Sequence, residues 1–153
     1  MTPVEALQRS SLFRDFTETG LRIFAAVARE KSLPAGSPLF VENMIGESLF
    51  VVVSGTVKIT RRGPDGEREL AILGPGEHLG ALAVLARSIR LVSAVAATPC
   101  QVLELTRADF VRLQPDKPQA CLKLAVAVAT DLATRVAENR DTFRELPVRS
   151  AGG

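Results

Sequence analysis

The chain has 153 residues, which fits one domain with a substantial apolar core and leaves no room for a second of ordinary size. With 19 basic and 17 acidic residues the net charge is +2, which excludes the strong positive field that nonspecific nucleic-acid binding requires. No apolar run reaches the roughly 18 residues of a membrane span, no leader pattern opens the chain, and Cys100 and Cys121 lack CxxC spacing; these features predict two buried thiols in a cytoplasmic protein.

Residues 4–29 carry Leu7, Leu12, Phe13, Phe16, Leu21, Phe24, Ala25, Val27 and Ala28 at mixed three- and four-residue steps, and this spacing predicts a helical segment. Gly20 is expected to break it into two short helices. From Lys31 to Thr106 glycine and proline recur at short intervals between runs rich in Val, Ile and Leu, which predicts β strands at 39–41, 49–53, 56–60, 69–73, 91–97 and 101–105. Ser54-Gly55 and Gly63-Pro64-Asp65-Gly66 read as tight hairpin turns.

Between the fourth and fifth of these strands lies Gly74-Pro75-Gly76-Glu77-His78-Leu79-Gly80-Ala81-Leu82-Ala83-Val84-Leu85, followed by Arg90. Three glycines in seven residues permit close approach of a ligand to backbone N–H groups, and the apolar run after Gly80 can open a short helix whose start favours an anion. Arg90 would close the other side with paired planar donors suited to phosphate oxygens. Ala81 contributes no polar group. His78 is the sole histidine and cannot alone build a metal centre or activate a nucleophile, so neither a metal site nor a catalytic residue is expected.

After the strands, Thr106 with Asp109 three residues on predicts a capped short helix, which Pro115 and Pro118 interrupt. A long helix is expected from Gln119 to about Glu145. Its apolar stripe is read as Leu122, Val126, Ala129, Leu132, Ala133, Val136 and Phe143, over polar Lys123, Asp131, Arg135, Glu138 and Asn139. That stripe would pack on the chain's own core or on a partner, including a second copy. The tail 147–153 is small and polar and is expected to fray. The domain is divided accordingly into a helical segment at 1–30, a β barrel at 31–106 holding the 74–92 cassette, and helices at 107–146.

This layout resembles the cyclic nucleotide-binding domain of catabolite-activator-type regulators, cyclic-nucleotide-gated channels and cyclic-nucleotide-dependent kinases, over roughly residues 10–145. The resemblance is carried by Pro34-Ala35-Gly36, Phe40-Val41-Glu42-Asn43, Leu49 through Ile59 with Gly55 on the family's hairpin glycine, the cassette from Gly74 to Gly80, Arg90 ten residues after Gly80, and Ser93 through Ala97. It implies a mainly β fold with flanking helices: a jelly-roll-like double-stranded β-helix barrel, short N-terminal helices and a long C-terminal lid helix. It also implies a non-enzymatic regulatory module whose ligand would touch Gly80, Ala81, Leu82, Arg90, Leu91 and Val92. In ligand-binding members a glutamate after the cassette glycine accepts the ribose 2′-hydroxyl; here it is Ala81. The Ser/Thr-Ala pair that commonly follows the arginine is here Leu91-Val92.

A hydrogen bond to a charged group contributes roughly 1.5–3 kcal/mol, so loss of the glutamate alone weakens cyclic AMP or cyclic GMP binding by about 10- to 100-fold. Leu91 and Val92 would further dry the pocket. Arg87-Ser88 is a weaker choice of phosphate pair because it shortens the cassette. Two functions follow as expectations: a sensor of a cyclic nucleotide or another phosphate-containing ligand signalling through its C-terminal helix, or a ligand-free scaffold for a protein partner or homodimer through 119–145. Direct DNA binding is not expected, because no helix-turn-helix follows the long helix, and no cofactor or membrane contact is expected.

Overall fold

The computed structural model describes residues 1–144. The expected tail at 147–153, and the end of the helical segment assigned to 107–146, fall outside the described residues. In chain order the elements are α1 (Pro3–Arg9), a 3-10 turn (Ser11–Phe13), α2 (Glu18–Val27) and β1 (Arg29–Leu33). There follow β2 (Pro38–Phe40), β3 (Ile45–Gly46), β4 (Ser48–Ser54), β5 (Val57–Gly63), β6 (Gly66–Leu73) and β7 (His78–Leu79). A second 3-10 turn (Ala81–Val84) leads to β8 (Ser88–Ile89), β9 (Ser93–Ala96) and β10 (Cys100–Thr106). The helices α3 (Arg107–Leu113), α4 (Pro118–Glu138) and α5 (Arg140–Arg144) complete the described chain.

Alternation along β4 explains the layering. Leu49, Val51 and Val53 face a core shared with the helices, while Phe50 and Val52 face a second core shared with Val57 and Ile59 of β5 and Ala94 and Ala96 of β9. Successive side chains of a strand point to opposite faces, and a strand buried on both sides reads as a continuous apolar run. One sheet, ordered β1-β10-β4-β7, is therefore the middle layer, with the helices on one face and a second sheet, β2-β9-β5-β6, on the other. A ribbon of β3 and β8 stands apart, so the jelly-roll is two packed sheets and not a closed barrel.

Several sequence expectations are corrected here. Gly20 does not break a helix: the break lies at 14–17, and Gly20 sits inside α2, where its N–H donates to the Thr17 hydroxyl that caps the helix, at 3.2 Å. Ser54-Gly55 is not a hairpin, because β4 and β5 lie in different sheets; it is a corner, with Gly55 at φ 81° and no room for a Cβ, which would stand 2.3 Å from the Pro99 carbonyl oxygen. The turn at 63–66 is a hairpin as read, with Gly63 opposite Gly66. The 91–97 strand shortens to β9, and β1, β3, β7 and β8 arise from segments too polar or too short to show a periodic pattern.

At the N-terminus, Phe13, Phe16 and Phe24 meet edge-to-face at centroid separations of 5.0–5.8 Å and anchor the helices on the middle sheet. Thr106 caps α3 as expected, accepting the Asp109 N–H at 3.1 Å. Pro118 stands in the first turn of α4, in keeping with proline's tolerance there, and α4 closes at Asn139 before α5, so the single helix expected from Gln119 to about Glu145 is divided in two. The inner face of α4 is Cys121, Leu124 and Val128, while Leu122, Val126 and Leu132 of the expected stripe are exposed. Phe143, the last member of that stripe, has a side chain outside the described residues. No helix among the described residues is long and apolar enough to cross a membrane.

Candidate anion site at the cassette

The cassette is pinned by backbone bonds. β7 pairs with β4, the Gly76 N–H donates to the Val52 carbonyl at 2.8 Å, and the Val52 N–H donates to the Glu77 carbonyl at 2.9 Å. Glu77 turns back to accept the Gly74 N–H at 2.6 Å. The chain then reverses at Gly80, whose left-handed φ of 73° starts the 3-10 turn Ala81–Val84 with no side-chain cap. The first N–H groups of such a turn have no partner within it.

Arg90 follows β8 and turns inward. It is 7 % exposed, its Nη2 donates to the Ser48 carbonyl at 2.8 Å, and its guanidinium carbon stands 4.1 Å from the centre of the Phe40 ring. Two glycines make the slot. A Cβ on Gly46 would fall 2.2 Å from Nε, and one on Gly80 2.3 Å from Nη1. Burial lowers the guanidinium pKa from its ordinary value and the Glu104 carboxylate opposes that shift, but arginine remains cationic at neutral pH. Glu104 is engaged elsewhere, accepting from Ser48 Oγ and Lys31 Nζ, each at 2.7 Å. Arg90 Nε is buried and meets no acceptor among the described residues.

The other expected site residues divide. Gly80 lies against the guanidinium, and Ala81 follows it directly, but Ala81 is 7 % exposed and packs into the helix-side core. Leu82 is half-exposed on the turn. Leu91 is 82 % exposed, so it does not dry a pocket: backbone alternation that sends Arg90 inward sends Ile89 and Leu91 out. Val92 packs against the core between the sheets. Arg87 is on the surface and pairs with Glu47 at 2.8 Å. Asn43 holds φ 70°, the left-handed conformation that asparagine tolerates.

His78, the sole histidine, meets two polar partners. Its Nδ1 lies 3.2 Å from Ser10 Oγ, and its Nε2 lies 3.3 Å from Asp131 Oδ1 on α4, within ion-pair range but off the line of a good hydrogen bond. Ser, His and Asp thus stand in a row, yet Ser10 is 1 % exposed and its oxygen also accepts the Leu12 N–H, so no substrate reaches it. Sequence reading had no signal for this row, because Ser10 is 68 positions from His78.

Residues 30–115 match the cyclic nucleotide-binding domain model. The chain belongs to the cyclic nucleotide-binding domain family. A curated relative, the cyclic AMP receptor protein of Thermus thermophilus, is 32% identical over 127 residues, covering 82% of this chain and 59% of the relative. The chain therefore spans about three-fifths of the length of that relative. The crystal structure of the Thermus thermophilus catabolite activator protein superposes with a TM-score of 0.77 at 32% identity, covering 88% of this chain and 62% of that one. The N-terminal domain of a transcriptional regulator from Streptomyces coelicolor gives a TM-score of 0.77 at 30% identity, covering 94% and 99%. These relatives are regulators, and the fold of a cyclic nucleotide-binding domain, mainly β with flanking helices, is the one observed here.

Proposed function

We propose that this cyclic nucleotide-binding domain senses a phosphate-bearing anion, a cyclic nucleotide or another phosphate ester, held between Arg90 and the turn that Gly80 opens, and reports it through α4. The observation that carries this reading is Arg90 itself. A cation removed from water without a paired carboxylate costs several kcal/mol, and an anion at the slot would offset that cost. Its Nε lacks an acceptor, its Nη1 lies against Gly80, and phosphate is the ligand chemistry that a planar guanidinium fits in pairs. Ala81 offers no carboxylate to a ribose hydroxyl, so discrimination between ribose and 2′-deoxyribose is expected to be slight.

Calorimetric titration with cyclic AMP, cyclic GMP and 2′-deoxy cyclic AMP tests this. The expected result is micromolar to millimolar binding with less than about threefold difference between cyclic AMP and its deoxy analogue, abolished in Arg90→Ala; absence of heat at millimolar ligand overturns the reading.

A second reading is supported by the outer face of α4. Leu122 and Val126 are exposed one turn apart on that face, and Leu132 is exposed further along the helix, apolar side chains that a second copy or a protein partner would cover, so the domain would serve as a scaffold whether or not its cassette is occupied.

A further inference from the structure

Beyond the cassette, one partly buried polar assembly joins three parts of the fold. His78 on β7 has a side chain 6 % exposed and touches Ser10, between α1 and the first 3-10 turn, and Asp131 on α4; Asp131 Oδ2 is in turn 3.2 Å from Arg135 Nε. The inner apolar contacts of α4 end early, since its buried residues are Cys121, Leu124 and Val128. From Asp131 onward no described residue of α4 is fully buried, and this polar row joins the helix to the cassette strand.

We propose that Ser10, His78 and Asp131 form a pH-gated latch that holds the second half of α4 against the cassette while His78 is neutral and releases it when His78 gains a second proton. The latch is independent of what the cassette binds.

The hydrogen-bond directions supply the mechanism. Ser10 Oγ accepts the Leu12 N–H at 3.3 Å, which leaves its own proton to donate to His78 Nδ1; that assigns the neutral tautomer with its proton on Nε2, toward Asp131. A proton added at Nδ1 removes the acceptor for the Ser10 hydroxyl, in a place with almost no access to water. The groups facing the ring pull in both directions. Asp131 on α4 and Glu77 in the cassette turn favour the imidazolium, while Arg135 on α4 opposes it and shares the Asp131 carboxylate. Burial is the largest influence and leaves the pKa below 6.5. A base lowered in the closed arrangement favours that arrangement fully above 6.5, and the preference is lost as pH falls from 6.5 through the lowered value.

The test uses the whole chain. Because His78 is the sole histidine, its ring proton gives a single NMR titration, expected below 6.5, alongside amide exchange over 130–138 corrected for intrinsic rates. Protection there should fall about three- to tenfold between pH 7.5 and 5.5 in the wild type and stay level in His78→Gln. Equal loss in His78→Gln, or a titration at or above 6.5, overturns the latch. Should that variant fail to fold, Asp131→Asn gives the second reading: the His78 titration should move lower and 130–138 should lose protection already at pH 7.5. An unchanged titration in Asp131→Asn overturns the proposal.

Discussion

Arg90 is a cation held out of water by two glycines, a backbone carbonyl and a phenylalanine ring. The Gly46 contact is the more useful handle, because Gly46 has no left-handed φ and an added methyl meets the mobile end of a side chain, not backbone. Gly46→Ala is therefore expected to displace the guanidinium with little loss of stability. Its predicted signature is anion affinity reduced at least about tenfold in calorimetry with the melting temperature within a few degrees of wild type. A collapse of the melting temperature would show that Gly46 serves the fold and not the slot. At this scale the sequence was informative about Arg90 and Gly80, whose spacing in one continuous segment is visible, and silent about Gly46, Ser48 and Phe40, which meet Arg90 only through the pairing of β3 with β8 and the crossing of the sheets. It misjudged Leu91, since a reading of residue types around an arginine carries no information about which face of an extended segment each occupies.

The helix α4 shows the same division at the scale of an element. Its existence follows from the apolar spacing, although it closes at Glu138 where the expectation ran on to about Glu145, and two apolar lines run along it: Cys121, Leu124 and Val128, which Leu132 continues one turn on, and Leu122 with Val126. Periodicity identifies both and ranks neither, because alanines fill the space between them. Only the position of the N-terminal turn and the cassette turn, against which α4 lies, selects the first line as the inner face. Two substitutions separate the faces. Leu124→Ala is expected to lower unfolding free energy by about 2–5 kcal/mol in denaturant titration, and Leu122→Asp by less than about 0.5 kcal/mol. The second variant also reads the scaffold hypothesis: sedimentation showing a wild-type dimer that Leu122→Asp disperses supports self-association through the outer face, and a concentration-independent wild-type monomer argues against it.

At the scale of the molecule, acid stability should fall in two separable stages. Burial pulls His78 down, so the first stage lies below 6.5 and should vanish in His78→Gln. Burial pushes the carboxyls of Glu104 and Asp109 up, but hydrogen bonds outweigh it: Lys31 and Ser48 donate to Glu104, Arg112 donates to Asp109, the Asp109 contact with Thr106 acts in the same direction, and Arg29 adds charge to both. Both pKa values end below the ordinary carboxylate range. A depressed acid stabilises above its unfolded pKa and loses that contribution as pH falls through the folded one, so the second stage lies at and below about pH 4. Denaturant midpoints measured from pH 7.5 to 3 should show both stages in the wild type and only the lower one in His78→Gln; a single stage common to both proteins would remove His78 from the account.

The sequence by itself determined the family, the mainly β architecture between helical ends, the capped start of α3 and the glycine-rich cassette with Ala81 after its last glycine. All of these depend on residues close together in the chain, where turn chemistry and alternation act directly. The tertiary structure alone decided that β4 and β5 part at Gly55 into different sheets, that Ala81 packs inward while Leu91 faces water, that α4 turns its Cys121–Leu124–Val128 line to the core, and that Ser10, His78 and Asp131 meet. Each of these is a choice between faces or partners that local pattern leaves equivalent, and burial of apolar area across distant segments breaks the tie.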